Sequence, residues 1–139
     1  MKFRYGLAIL GGTFDRFHVG HKELINRTFE KSEKVIIGIT TEKITKNKFL
    51  AESIESFSVR KDNLKKYLQE NGFLERASFI SLNDVFGNSL KRKNIEAIFV
   101  TSQTYKNAIL INKKREEINL KPLKVNTVPL LKGEDGKVI

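Results

Sequence analysis

The chain has 139 residues, which is the length of one ordinary domain, since the commonest domains contain about 100–150 residues. Hydrophobic residues make up 40% and charged residues 30%, a balance that excludes a disordered or low-complexity chain. The absence of cysteine excludes a disulfide scaffold, a thiolate zinc site and a cysteine nucleophile. The net charge of +10 indicates a polyanionic partner: nucleic acid, an acidic membrane surface or a phosphorylated small molecule.

Short apolar runs alternate along the chain with segments whose apolar residues recur at helical spacing. RYGLAIL is apolar and ends at a Gly-Gly break, which predicts a buried strand. Leu24, Ile25 and Phe29 then fall on one face of a helix. The predicted series is a strand at 4–10, a helix at 19–33, a strand at 35–40, a loop at 41–56, a helix at 58–71, a strand at 77–82, a loop or short irregular helix at 83–94, a strand at 95–101, a helix at 103–119 and a strand at 123–131.

Strands that alternate with amphipathic helices predict an α/β fold with a parallel sheet covered on both faces. We expect a doubly wound, Rossmann-like sheet of five strands in the order 3-2-1-4-5, with helices on both faces. No repeat, linker or second domain is evident, so residues 1–139 are predicted to form a single domain. In such a sheet the ligand binds outside the carboxyl ends of strands 1 and 4.

No targeting or membrane segment is evident. The apolar stretch at residues 5–10 is shorter than a secretory core and is followed by Gly11, Gly12 and Asp15. No run approaches the length of a membrane span, so we expect a cytoplasmic protein without a membrane partner.

The segment GGTFDRFHVGH, residues 11–21, follows the first predicted strand and opens the first predicted helix. It matches neither the dinucleotide fingerprint nor a P-loop, yet paired glycines before a helix start suit the close approach of a phosphate. His18 and His21 are three residues apart, so they can lie on one side of the helix mouth, and Gly20 between them leaves room for a nucleotide. The alternative to phosphate binding is that His18 and His21 are ordinary solvated or helix-capping histidines.

GGTFDRFHVGH resembles the T/HxGH signature of the nucleotidylyltransferase superfamily, whose members join a nucleoside triphosphate to a phosphorylated acceptor and release pyrophosphate. VIIGITTEKITKNK, VTSQTYKNAILINKKREEINLKPLKV and PLLKGEDGKVI resemble the archaeal and eukaryotic type of phosphopantetheine adenylyltransferase. The resemblance implies that ATP, with Mg²⁺, and 4′-phosphopantetheine give dephospho-coenzyme A and pyrophosphate without a covalent intermediate. These two substrates would be the partners. The lysines are spread over loops and polar helix faces, which argues against nucleic acid as a partner. The oligomeric state stays open between a monomer and a small homo-oligomer.

The same resemblance assigns roles to individual residues. The residues implied in catalysis are His18, His21, Thr13, Lys46 and Lys48, of which the two lysines are candidates for holding the acceptor phosphate and Lys43 is a weaker one. The residues implied in nucleotide binding are Gly11, Gly12, Thr13, Phe14, His18, Gly20, His21, Thr101, Ser102, Gln103 and Tyr105. Asp15 is expected to stabilise the loop rather than to act as a base.

Several positions keep two interpretations. Arg60 either reaches the site or pairs with a carboxylate such as that of Glu55. Asn112 and Arg115 either face the site or form exposed surface. Ser102 or Thr104 caps the following helix, a role compatible with ligand contact.

Members of the family continue past a segment like GEDGKVI into an ISSTxxR-type motif that holds the triphosphate. This chain ends at Ile139, so lowered ATP affinity and turnover are expected of these 139 residues. The competing hypotheses are a flavin-forming adenylyltransferase, a cytidylyltransferase acting on a phosphate such as glycerol phosphate, a nucleic-acid-binding protein and a non-catalytic nucleotide sensor.

Overall fold

The protein is described by a computed structural model that covers residues 3–45 and 51–129. A single parallel sheet in the order β3-β2-β1-β4-β5 forms its centre. The strands are β1 (Tyr5–Gly12), β2 (Ser32–Thr40), β3 (Ala77–Leu82), β4 (Ala97–Val100) and β5 (Lys124–Thr127). The helices are α1 (Val19–Lys31), α2 (Glu42–Thr45), α3 (Phe57–Glu70) and α4 (Tyr105–Glu117), with 3₁₀ turns at Ala51–Ser53 and Leu74–Arg76.

Strand β1 lies in the middle of the sheet and is buried on both faces. Its side chains alternate, so Ala8 and Leu10 join one apolar cluster while Ile9 joins the other. Ile9 pairs with Ile36 of β2 and with Ile98 of β4, which fixes the register on both sides. A strand with two buried faces needs apolar residues in succession, which explains the uninterrupted run of the sequence.

Helices cover both faces of the sheet through their buried stripes. On one face α1 contributes Ile25 and Phe29, and α3 contributes Leu64. On the other face α4 contributes Ala108 and Ile111. The predicted α/β fold, its strand order and its helices on both faces are confirmed.

The boundaries of several elements differ from the prediction. Helix α1 ends at Lys31 and β2 begins at Ser32, three residues before the predicted strand. Ser32 is buried and pairs with Tyr5 across the sheet, so tertiary pairing extends the strand toward its start. The predicted loop at 41–56 contains α2 and a 3₁₀ turn, and residues 46–50 lie outside the described ranges. Residues 83–94 form turns and bends without a helix.

The later strands and helix are shorter than predicted. Strand β4 covers four residues, α4 begins at Tyr105, and β5 ends at Thr127. Residues 130–139, with the GEDGKVI segment, lie outside the described ranges. No helix within the described ranges is both long and apolar enough to cross a membrane.

Candidate active site

A pocket of about 630 Å³ opens at the carboxyl ends of the central strands. Gly12 and Thr13 reach it from β1, Thr40 from the end of β2, and Thr101 from the residue after β4. The order of the sheet reverses between β1 and β4, which is where parallel strands leave a crevice for a ligand. The pocket therefore lies where the topology predicts a ligand site.

The turn between β1 and α1 has a strained backbone. Phe14 and Arg16 have φ values of 55° and 48°, a left-handed region that residues other than glycine seldom adopt. The Phe14 ring is buried against Gly12, and the backbone N–H of Arg16 donates to Glu55 Oε1 at 2.7 Å. The Arg16 guanidinium also donates to the carbonyl of Ser53, at 2.8 Å. The segment before α3 thus holds this turn in place.

Asp15 and Thr13 have different roles in the same turn. Asp15 Oδ1 accepts from the backbone N–H of Glu55 at 2.9 Å, so this carboxylate stabilises the loop, in agreement with the sequence-based expectation. Thr13 Oγ1 accepts a hydrogen bond from Thr40 Oγ1 at 3.0 Å, which ties the ends of β1 and β2 together through two hydroxyl groups in the pocket wall.

His18 and His21 form a reciprocal cap at the start of α1. The Nδ1 atom of His18 accepts from the N–H of Gly20 at 3.1 Å, and Nδ1 of His21 accepts from the N–H of His18 at 3.2 Å. Their rings stack, with centroids 3.8 Å apart. An Nδ1 atom that accepts a hydrogen bond carries no proton, so the proton of each neutral ring is on Nε2. Each histidine can therefore cap the helix through Nδ1 and at the same time donate a hydrogen bond to a ligand through Nε2.

Both histidines are held in the neutral form at pH 7. Burial lowers the pKa of His18 below its ordinary value. Burial also lowers the pKa of His21 to about 4, helped by repulsion from His18 and opposed by Asp15. The rings of Phe17, stacked at 5.5 Å, and Phe14, edge-on at 5.3 Å, exclude water from His21. The site consequently offers neutral N–H donors at the positive end of a helix dipole.

The opposite wall of the pocket comes from the residues between β4 and α4. Thr101 and Gln103 line the pocket, whereas Ser102 and Tyr105 are exposed and do not belong to its lining. Thr104 occupies the N-cap position of α4, but its side chain makes no cap bond and instead accepts from the N–H of Thr101 at 3.1 Å. This hydrogen bond holds the segment between β4 and α4 in a turn beside the pocket.

Three positions with open interpretations turn out to have structural contacts, with Arg60 and Arg115 buried and Asn112 half-buried. Asn112 bonds both the backbone N–H and the carbonyl of Leu123, at 2.7 and 2.9 Å, and does not line the pocket. Arg115 is 1% exposed and donates to the carbonyls of Lys121 and Ser89, so it neither faces the site nor forms surface. Arg60 donates to the backbone carbonyl of Glu55 and not to its carboxylate. Both interpretations of Asn112 and of Arg115 were wrong, and so was the carboxylate pairing of Arg60.

The structure also identifies pocket residues that the sequence did not single out. An apolar wall consists of Ile44, Leu82, Val85 and Phe86, and a cation, Lys106, lies in the first turn of α4. Apolar residues at the ends of strands are also ordinary core residues, so the pattern alone did not separate them. Asp84 Oδ1 accepts from the N–H groups of Phe86 and Gly87, and an aspartate before such a turn is a local sequence signal that could have pointed to this part of the pocket wall.

The predicted phosphate-binding lysines, Lys46 and Lys48, lie outside the described ranges, and Lys43 is exposed away from the pocket lining. The remaining predicted site residues, Gly11, Gly12, Thr13, Phe14, His18, Gly20, His21, Thr101 and Gln103, all line the pocket. Among the residues that the structure describes, no group of three or more acidic or histidine side chains is placed to hold a metal ion.

Comparison with known proteins places the chain in a family. The cytidylyltransferase-like family model matches residues 9–139. A phosphopantetheine adenylyltransferase from Pyrococcus abyssi is 40% identical over 139 residues, which cover 100% of this chain and 87% of that protein. One from Thermococcus gammatolerans is 39% identical with the same coverage.

Among solved structures, a protein of unknown function from Archaeoglobus fulgidus is 29% identical and superposes with a TM-score of 0.78 over 88% of both chains. The relatives match along the whole chain, and the pocket lies where the order of the sheet reverses between β1 and β4. This chain therefore belongs to the cytidylyltransferase-like family of nucleotidyltransferases and, within it, to the phosphopantetheine adenylyltransferases.

Proposed function

We propose that the chain transfers the adenylyl group of ATP to 4′-phosphopantetheine, giving dephospho-coenzyme A and pyrophosphate. The observation that carries the proposal is the histidine pair at the start of α1, whose Nδ1 atoms are used by the cap and whose Nε2–H groups remain as donors. The relatives from Pyrococcus and Thermococcus, similar over the full length of this chain, support the choice of acceptor.

The proposed reaction requires groups that bind and stabilise phosphate charge, and it does not require a general acid or base. A phosphate monoester is already a nucleophile near neutral pH, so a phosphate oxygen of the acceptor attacks the α-phosphorus of ATP in line. The bond from that oxygen to the α-phosphorus forms as the bond from the α-phosphorus to the oxygen that joined the α- and β-phosphates breaks, and that oxygen leaves as a terminal oxygen of pyrophosphate. Asp15, which is bonded to Glu55, is not required as a base.

The residues of the turn and of α1 supply the stabilisation. His18 binds the triphosphate, His21 stabilises charge on the oxygens of the α-phosphoryl group, and the hydroxyl of Thr13 contacts the transferring group. Neutral N–H donors fixed before the reaction need no reorganisation as charge develops. The positive end of the α1 dipole acts in the same direction.

The apolar wall of the pocket gives the substrates a second kind of contact. Leu82 and Phe86 line, together with the polar turn, a cavity of about 630 Å³, within the range of small-molecule sites. Such a wall suits an adenine ring or the carbon chain of the acceptor, while the polar turn takes the phosphates. A pocket with one apolar and one anion-binding side is what both substrates require.

Mg²⁺ is proposed to enter with ATP rather than to reside in the protein. Mg²⁺ keeps several waters and is commonly held by substrate phosphates with one or two carboxylates, so it needs no three-ligand cluster of protein side chains. The carboxylates in the pocket lining are those of Asp15 and Asp84, and in each of them Oδ1 accepts backbone hydrogen bonds. Their second oxygens would be the ones available to the hydration shell of the ion. Bound in this way, the ion would neutralise charge on the leaving pyrophosphate. Lys46 or Lys48 is proposed to hold the acceptor phosphate.

The test is a pyrophosphate-release assay with acceptor and nucleotide varied in parallel. Phosphopantetheine, FMN and glycerol phosphate are each combined with ATP and with CTP, in the presence of Mg²⁺. We expect release with ATP and phosphopantetheine, and none when Mg²⁺ is chelated. Release with FMN or with CTP and glycerol phosphate would replace the proposed acceptor. ATP binding by calorimetry without any product would favour a non-catalytic sensor.

A further inference from the structure

The side chain of Arg60, in the first turn of α3, lies directly behind the turn that follows β1. It is 1% exposed. One terminal nitrogen, Nη1, donates to the carbonyl of Thr13 at 3.0 Å and to the carbonyl of Thr40 at 2.8 Å, and Nε donates to the carbonyl of Glu55 at 2.9 Å. The guanidinium therefore joins three chain segments that meet at the pocket.

These three segments control the position of one hydroxyl group. Thr13 is held at its carbonyl by Arg60 and at its Oγ1 by Thr40, and Thr40 is held at its carbonyl by the same Nη1 atom. Glu55, the third acceptor, bonds both Asp15 and Arg16 of the turn. A shift of the guanidinium would move both ends of the Thr13–Thr40 hydroxyl pair together.

The turn needs this support because its backbone is strained. Phe14 and Arg16 have positive φ, a conformation that persists only where the surroundings over-determine it. No carboxylate among the described residues lies within salt-bridge distance of Arg60. Its donors go instead to the three carbonyls and, at 3.4 Å, to the hydroxyl of Thr40. The planar fork of a guanidinium suits several fixed acceptors, whereas an ammonium cannot reproduce its geometry.

We propose that Arg60 is a positioning residue for adenylyl transfer, which acts by fixing the Thr13 hydroxyl against the transferring phosphoryl group. The inference rests on the proposed function. Placement errors of about 1 Å at a reacting centre can cost on the order of 100-fold in rate. Loss of Arg60 should therefore lower kcat far more than it weakens binding of the substrates.

Arg115 provides a matched control within the same chain. It is also 1% exposed, and burial lowers the pKa of both guanidinium groups. Its donors go to the carbonyls of Ser89, Arg92 and Lys121, and these segments precede β4 and β5 and lie outside the pocket lining. A loss of stability alone should look alike in Arg60→Lys and Arg115→Lys.

The first experiment compares steady-state kinetics of the two lysine variants at a temperature where thermal melts show both folded. We expect Arg60→Lys to lower kcat about 30- to 100-fold with KM values within about threefold, and Arg115→Lys to keep kcat within about threefold. Arg60→Lys should cost much less in a Thr13→Val background, because the hydroxyl it positions is gone. Near-normal kcat in folded Arg60→Lys, or additive losses in the double variant, would overturn the proposal.

The second experiment does not depend on turnover. Amide hydrogen exchange of the peptide that contains residues 13–17 should rise about tenfold or more in Arg60→Lys and stay unchanged in Arg115→Lys. Unchanged exchange in Arg60→Lys would overturn the positioning role even if the unaltered chain made no product. Absence of product from the unaltered chain, with the exchange result as expected, would instead count against the proposed function alone.

Discussion

His18 does two things at the start of α1, and two substitutions separate them. Its Nδ1 atom accepts from the N–H of Gly20 at 3.1 Å, which caps the helix, and its Nε2–H is proposed to donate to the triphosphate. His18→Ser removes the imidazole but keeps an oxygen that can cap, whereas His18→Ala removes both functions. The pair differs by a single hydroxyl group.

The expected magnitudes follow from the two bonds. A lost N-cap costs about 1 kcal/mol, so His18→Ala should be less stable than His18→Ser by about that amount. A lost hydrogen bond to a charged group costs about 1.5–3 kcal/mol, which corresponds to roughly 10- to 100-fold weaker ATP binding in both variants. Because the cap is the only difference between them, their ATP affinities should agree within about twofold to threefold once both are folded.

Urea unfolding measures the first quantity and titration calorimetry with ATP measures the second, in the same buffer. ATP affinity close to that of the unaltered chain in either variant would refute the donor role of Nε2. An affinity difference between Ser and Ala variants as large as their stability difference would show that the cap itself governs binding. Equal stability of the two variants would refute the capping role.

Three further predictions concern stability. Burial lowers the pKa of His21 to about 4 from an unfolded value of about 6.5, so its stabilising effect is complete above pH 6.5 and is lost as pH falls toward 4. Urea unfolding should therefore lose about 1–2 kcal/mol between pH 7.5 and 5 that His21→Gln does not lose, and equal losses would contradict this. Gly38→Ala would place a Cβ within 2.7–2.8 Å of three atoms of Leu82 and should cost about 1–3 kcal/mol in unfolding free energy. Adding Leu82→Ala should then give less than the sum of the single losses, and additivity would argue against the clash. Arg76→Met removes hydrogen bonds to the carbonyls of Phe29 and Ser32 at the end of the sheet away from the pocket, so it should cost about 2 kcal/mol in stability with kcat within about threefold, and a large fall in kcat would contradict it.

The sequence was sufficient for the architecture and for the position of the candidate site. Strands buried on both faces must be apolar in succession and helices on a sheet must be amphipathic, so the pattern of alternation predicted the parallel sheet and its order. The GGTFDRFHVGH segment likewise indicated a phosphate site, because a glycine turn and a helix start are local features. All of the residues that were predicted to act within this segment line the pocket.

Only the tertiary structure decided what the side chains do. Which ring nitrogen of each histidine carries the proton depends on a cap bond whose geometry no spacing reveals. The sequence assigned Arg60 to the site or to a carboxylate pair and Arg115 to the site or to the surface. Both are buried because carbonyl groups from distant segments accept their hydrogen bonds. Arg60 reaches Thr13 across 47 positions of the chain, and such a contact exists only after the sheet has formed.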